Sequence, residues 1–82
     1  MNNIDLQAIL LMAKLRGIKT GYDDSDNLLF YINDSLHKVY FMQQLRERLE
    51  SMGYNSFNIG SGVGYVKLVM ESVKKETTGV RG

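Results

Sequence analysis

The chain has 82 residues, of which 44% are hydrophobic, and a formal net charge of +1. This length suits one small domain, and the near-neutral charge excludes a strongly acidic nucleic-acid mimic and provides little long-range attraction for phosphates. The absence of cysteine excludes disulfides and thiol chemistry, and a single histidine excludes a multi-histidine metal site within one chain. No apolar run approaches the roughly 18 residues of a membrane span, and Asp5 precedes the first apolar run, unlike the basic start of a secretion signal. We therefore expect a cytoplasmic protein without a membrane segment.

The first predicted element is a helix that follows the asparagine pair 2–3 and ends at Gly17. Its apolar positions are Ile4, Leu6, Ile9, Leu10, Ala13 and Leu15. Three further residues, Ala8, Leu11 and Met12, widen the apolar arc beyond the stripe that one small sheet can cover. The helix is therefore expected to be either well buried or partly covered, and these three residues are the candidates for contact with a protein partner or a second copy of the chain.

Next come two predicted strands, residues 18–22 and 28–32, joined by a polar loop of about five residues. The second strand is almost wholly apolar, which is typical of a central strand. The loop contains three aspartates, Asp23, Asp24 and Asp26. Carboxylates can bind a divalent cation, but their spacing does not complete a calcium loop, and a hairpin tip explains them.

A second helix is predicted from residues 33–35, any of which can cap it, to Met52. Its apolar face is predicted to comprise Leu36, Val39, Met42, Leu45, Leu49 and Met52. We expect Leu45 and Leu49 to point into the sheet. His37 has no obvious nucleophile or metal partner, so we interpret it as a surface residue of the helix.

The last predicted strands are residues 54–59 and 63–70, the latter extending to Ser72, with a turn at 60–62. We expect Val66 and Leu68 to lie opposite the second helix. The predicted domain therefore covers residues 1–73, and residues 74–82 are predicted to be a flexible polar tail.

These elements predict an α+β fold of order αββαββ. The second and fourth strands are the most apolar, so we place them in the centre of a four-stranded antiparallel sheet of order 1-2-4-3. Both helices then cover one face in a two-layer sandwich, with a right-handed crossover between strands 2 and 3. Moving the first helix and strand to the end of this order produces βαββαβ, so the arrangement is a permuted ferredoxin-like one.

The glycine-rich segment 58–69, "NIGSGVGYVKLV", offers three interpretations. A phosphate-binding loop must enter a helix and, in its Lys-containing form, ends in Lys-Ser or Lys-Thr, whereas this segment enters a strand. A plain hairpin needs positive φ angles, which Gly60 and Gly62 would supply in the turn. The third interpretation concerns RNA.

Residues 61–68 resemble the RNP1 strand of RNA-recognition motifs, whose pattern is basic-Gly-aromatic-Gly-aromatic-Val-x-aromatic. The matching residues are Gly62, Gly64 and Val66, with Tyr65 matching in kind, while Ser61, Val63 and Leu68 depart from the pattern. Residues 29–33 resemble the other RNP strand. This resemblance implies that Tyr65 and an aromatic of the second strand, with Tyr31 as the candidate, share the open sheet face and stack on bases, while Lys67 supplies charge.

We expect no enzyme and no cofactor, because the sequence contains no nucleophile–base pair, metal set or cofactor loop. The first hypothesis is an adaptor or inhibitor that binds a protein partner, of the accessory or phage-type regulatory kind, or a homodimer. It would use the first helix or the free sheet edges. The alternative is a module that binds single-stranded RNA. The low net charge favours the first hypothesis; exposure of Leu29 and Tyr31 beside Tyr65 would favour the second.

Overall fold

The computed structural model describes residues 1–71. Its elements are α1 (Asn3–Leu15), β1 (Lys19–Tyr22), β2 (Leu28–Tyr31), α2 (Ser35–Ser51), β3 (Phe57–Gly62) and β4 (Tyr65–Met70). The predicted tail, residues 74–82, and the predicted extension of the last strand to Ser72 lie outside the described residues.

The four strands form one antiparallel sheet of order β1-β2-β4-β3, which confirms the predicted topology. The core consists of Ile9, Met12 and Ala13 from α1, Phe41, Leu45 and Leu49 from α2, and Leu28, Phe30, Ile32, Val66 and Leu68 from the sheet side. Side chains alternate between the two faces of a strand, so the buried strand residues all belong to one face. Both helices pack on that face, as predicted, and they leave the other face of the sheet open.

The first helix is capped by Asn2, one of the two predicted capping residues, and it ends at Leu15, two residues before Gly17. The backbone N–H of Asp5 donates to the Asn2 side-chain oxygen at 2.8 Å, which satisfies one unpaired donor of the first turn. Gly17 has a φ of +72°, the left-handed conformation that terminates many helices. The Tyr54 hydroxyl donates to the Asp5 carboxylate at 2.5 Å, which raises the pKa of Tyr54 and ties the start of α1 to the segment after α2.

The inward face of α2 differs from the predicted one in its first two turns. Leu45 and Leu49 are fully buried, as are Val66 and Leu68 opposite them, which confirms that part of the prediction. Leu36 and Val39, however, are 60% and 59% exposed. The residue four before Leu45 is Phe41, and its ring packs against that of Phe30 with 4.8 Å between centroids. The large aromatic contact therefore sets which face of the helix is buried.

The predicted position of the final turn was wrong. Residues 60–62 continue β3 as extended strand, and the two-residue turn is Val63-Gly64. Gly64 has a φ of +84°, whereas Gly60 and Gly62 do not have positive φ. Only the second central residue of this turn needs the left-handed conformation, which is the requirement of a type II turn. The glycines at 60 and 62 are therefore available for another role.

Leu49→Ala tests the core. We expect it to reduce the free energy of unfolding by about 2–5 kcal/mol, because it leaves a cavity under the sheet. Leu36→Ala makes the same chemical change on the same helix at an exposed position, and we expect a change within about 0.5 kcal/mol. Urea unfolding of both variants measures the difference. Equal losses for the two variants would contradict the observed orientation of α2.

Candidate functional site

The open face of the sheet carries two rows of residues that lie directly opposite one another on neighbouring strands. The first row is Lys19, Tyr31, Tyr65 and Gly62, and the second is Gly21, Leu29, Lys67 and Gly60. Opposed residues of antiparallel strands point to the same face. Since the alternate residues of β2 and β4 are buried under the helices, both rows face away from the helices.

Tyr31 and Tyr65, the two predicted stacking residues, are neighbours on this face. They are Cα partners in the β2–β4 ladder. Tyr31 is 49% exposed, Tyr65 is half-buried, and Leu29 is half-buried on the same face. The open face is therefore aromatic at its centre and not a continuous aliphatic surface.

Each tyrosine ring lies across a glycine of an outer strand. A Cβ atom added to Gly21 would lie 2.9 Å from the Tyr31 hydroxyl oxygen and 3.2 Å from Cε2 of the same ring. A Cβ atom added to Gly62 would lie closer than 3.0 Å to Cζ, Oη and Cε2 of Tyr65. Tyr31 therefore leans towards β1 and Tyr65 towards β3. The hydroxyl end of each ring therefore lies close to the backbone of an outer strand.

Lys67, the third predicted residue, is on the same face but is paired with Asp23. Its Nζ atom lies 3.1 Å from the Asp23 carboxylate. The backbone N–H groups of Ser25 and Asn27 also donate to this carboxylate, each at 2.9 Å. The hydrogen bond from the Asn27 backbone contributes most, and these contacts lower the pKa of Asp23 to about 2. Asp23 thus organises the β1–β2 loop and partly neutralises Lys67.

Lys19 was missed as a site residue by the sequence analysis. It stands opposite Tyr31 at the end of the first row and is exposed. The signal that could have found it is the hairpin register: pairing Tyr22 with Leu28 across the loop places Lys19 opposite Tyr31. The roles of Gly21 and Gly62 were missed for a different reason, because only the positions of the rings reveal them.

The open face also has a shallow hollow of about 270 Å³ beside Tyr65 and Lys67, above Gly60. A larger cleft of about 620 Å³ lies between the end of α1 and the first half of α2, with Arg16, His37 and Tyr40 among its lining residues. His37 is exposed and lies 3.7 Å from Asp34, which caps the helix. His37 is thus a surface residue of α2, as predicted.

On α1, the structure separates the three residues predicted to contact a partner. Leu11 is 53% exposed and Ala8 is half-buried, but Met12 is only 5% exposed and packs in the core. The prediction that Met12 contacts a partner was therefore wrong, because the face of α1 that carries Met12 packs against the sheet. Ile4 and Leu15, at 79% and 76% exposed, share the outer side of α1 with Leu11.

Among residues 1–71, no three acidic or histidine side chains are grouped so that they could hold a metal ion. Neither α1 nor α2 has the length and apolarity needed to cross a membrane. Comparisons of the chain with known protein families, curated proteins and solved structures find no match.

The Asp23 cluster predicts a specific response to acid. The pKa of Asp23 is lowered from the ordinary 3.8 to about 2 in the folded protein. The ionised Asp23 carboxylate therefore stabilises the fold fully above pH 3.8. That contribution disappears as the pH falls through about 2. We expect a carboxyl-carbon NMR titration of Asp23 with a midpoint of about 2 and, in Asp23→Asn, loss of this pH dependence of stability.

Asp24→Asn is the matched control, because it removes one exposed carboxylate from the same loop. A titration midpoint near 3.8 for Asp23 would contradict the observed hydrogen bonds.

Proposed function

We propose that the protein binds single-stranded nucleic acid on the open face of its sheet. The observation that carries this proposal is the pair of tyrosines, Tyr31 and Tyr65, side by side on neighbouring central strands with their rings lying against the sheet. A ring held in this way has one side available to a base. Exposure on this face was the criterion that separates the RNA hypothesis from the protein-partner hypothesis: Tyr31 is exposed, while Leu29 and Tyr65 are half-buried.

The chemistry of single-strand recognition matches what this face offers. Unpaired bases expose π-faces that stack on aromatic side chains, and every base has such a face, so the contact tolerates many sequences. Lysines at the edges of a stacking surface attract the phosphates between the bases. Lys19 and Lys67 hold such positions around the two rings.

The charge of the protein indicates what kind of binding to expect. The net charge is +1, and Lys67 is paired with Asp23. Long-range attraction is therefore weak, and stacking must supply most of the free energy of binding. Affinity should accordingly depend more on the tyrosines than on the lysines and should fall only gently with salt.

Tyr65→Ala and Tyr31→Ala test the proposal. Loss of one stacked ring costs about 1–3 kcal/mol, so we expect each variant to bind single-stranded RNA about 5- to 150-fold more weakly. Tyr22→Ala is the matched control, because Tyr22 is 54% exposed and pairs with buried Leu28, on the helix side of the sheet. The measurement is a titration of labelled RNA at two salt concentrations, with DNA of the same sequence and an RNA duplex as further ligands.

The same titration with lysine variants measures how much the positive charges contribute to binding. Lys19→Ala should flatten the salt dependence by about one phosphate contact, and Lys67→Ala should flatten it less because Asp23 already neutralises Lys67. Absence of saturable binding at low salt, or equal binding by wild type and both tyrosine variants, would contradict the proposal. Equal affinity for the duplex would show that phosphates are bound without stacking.

A second candidate function is protein binding through α1, the adaptor, inhibitor or homodimer hypothesis. It is favoured by the outer stripe of this helix: Ile4, Ala8, Leu11 and Leu15. The spacings of four, three and four residues between them match the seam of paired helices. Ile4, Leu11 and Leu15 are all more than half exposed. The partner we propose is a second copy of the chain, because two such stripes can pack against each other in antiparallel orientation.

Leu11→Lys tests this second candidate. It places a charge in the middle of the stripe at a residue that is 53% exposed, so we expect it to abolish self-association without unfolding the domain. Sedimentation over a range of concentrations measures the dimer fraction in wild type and variant. Gln43→Lys introduces the same charge at an exposed position of α2, away from the stripe, and should leave the dimer intact. A wild-type chain that remains monomeric throughout would contradict the candidate.

A further inference from the structure

Two glycines lie within strands and have a backbone conformation that any residue can adopt. Their backbone conformation therefore does not explain why glycine occurs at these positions. Gly21 in β1 and Gly62 in β3 both lack the positive φ that favours this residue, and glycine within a strand weakens it. Both lie on the open face, one on each outer strand. What they have in common is a tyrosine ring in the space where their side chains would be.

We infer that Gly21 and Gly62 are positioning residues that hold Tyr31 and Tyr65 flat as two separate stacking positions, so that the bound nucleic acid runs across the strands. This inference rests on the proposed function and specifies the form of the ligand. The ring ends lie over β1 and β3, which are three strand spacings apart in the sheet order. That separation is roughly 14 Å, far more than the 3.4 Å between stacked bases of one strand. Only an unstacked single strand can reach both rings.

Of the two glycines, Gly62 has less room for a side chain than Gly21 has. Lys38 from α2 donates from Nζ to the Gly62 carbonyl oxygen at 2.6 Å, so the backbone at this point is held from the helix side. A Cβ atom here would overlap two ring carbons and the hydroxyl oxygen of Tyr65. Because the backbone is held and the ring is the free end of a flexible side chain, the ring must lift from the sheet.

The contact at Gly21 is more easily relieved. A Cβ atom there would approach mainly the hydroxyl oxygen of Tyr31, at 2.9 Å, while Cζ would be 3.5 Å away. A small rotation of the ring relieves this overlap. We therefore expect Gly62→Ala to weaken binding more than Gly21→Ala does.

The experiment is a double-mutant cycle on binding of labelled single-stranded RNA, using wild type, Gly62→Ala, Tyr65→Ala and the double variant. If Gly62 acts only through the Tyr65 ring, Gly62→Ala weakens binding by up to the full effect of Tyr65→Ala, about 5- to 150-fold. The double variant then binds no more weakly than Tyr65→Ala alone, because the two changes remove the same contact. Additive losses would show a separate structural role for Gly62 and would overturn the inference.

The ring position is measured independently by NMR of the free protein. In wild type we expect the Gly62 α-protons to be shifted by the Tyr65 ring and to show NOEs to it, and Gly62→Ala should remove these NOEs. Gly60→Ala adds the same methyl group to the same strand and face, where it meets nothing within 4 Å, so the Tyr65 ring signals should be unchanged. A Tyr65 ring that stays in place in Gly62→Ala would overturn the inference.

The failures of the two proposals are distinguishable. If wild type binds RNA and Gly62→Ala binds equally well, the positioning role is wrong and the proposed function stands. If wild type does not bind, both are wrong.

Discussion

The pairing of Phe30 with Val66 across β2 and β4 is the interaction on which the rest of the molecule depends. Both side chains are fully buried, and Phe30 also packs against Phe41 of α2. Because side chains alternate along a strand, this pairing places the next pair, Tyr31 and Tyr65, on the opposite face. A slip of one residue in either strand would turn that strand's side chains over and put its tyrosine on the core face. The hydrophobic core and the open face are therefore set by one register.

The open face of the sheet combines glycines that reduce its stability with tyrosine rings that restore part of it. Glycines in the outer strands reduce strand stability, yet the tyrosine rings that lie over Gly21 and Gly62 shield the backbone there and recover packing area. The same arrangement limits how far each ring can move. Rings held in place before a ligand arrives lose little conformational entropy on binding, and this favours stacking by a protein that has little net charge to contribute.

The sequence predicts the order of elements and the sheet topology because apolar residues are concentrated in β2 and β4. It does not predict the limits of β3, since Gly60 and Gly62 look like turn residues until the register shows that only Gly64 has a left-handed φ. The inward face of α2 was misassigned because two apolar sets were available, and the choice was made by the contact with Phe30. Tyr31 and Tyr65 were predictable as a pair; the Lys67–Asp23 ion pair was not, because it joins a loop to a distant strand.

Backbone amide NMR of the labelled protein during titration with single-stranded RNA tests the central claim most directly, because it locates the ligand. The account predicts saturable shift changes at Gly21, Tyr31, Gly62 and Tyr65 on the open face, and no comparable changes along the outer side of α1. Changes confined to α1, or none at RNA concentrations well above that of the protein, would contradict it.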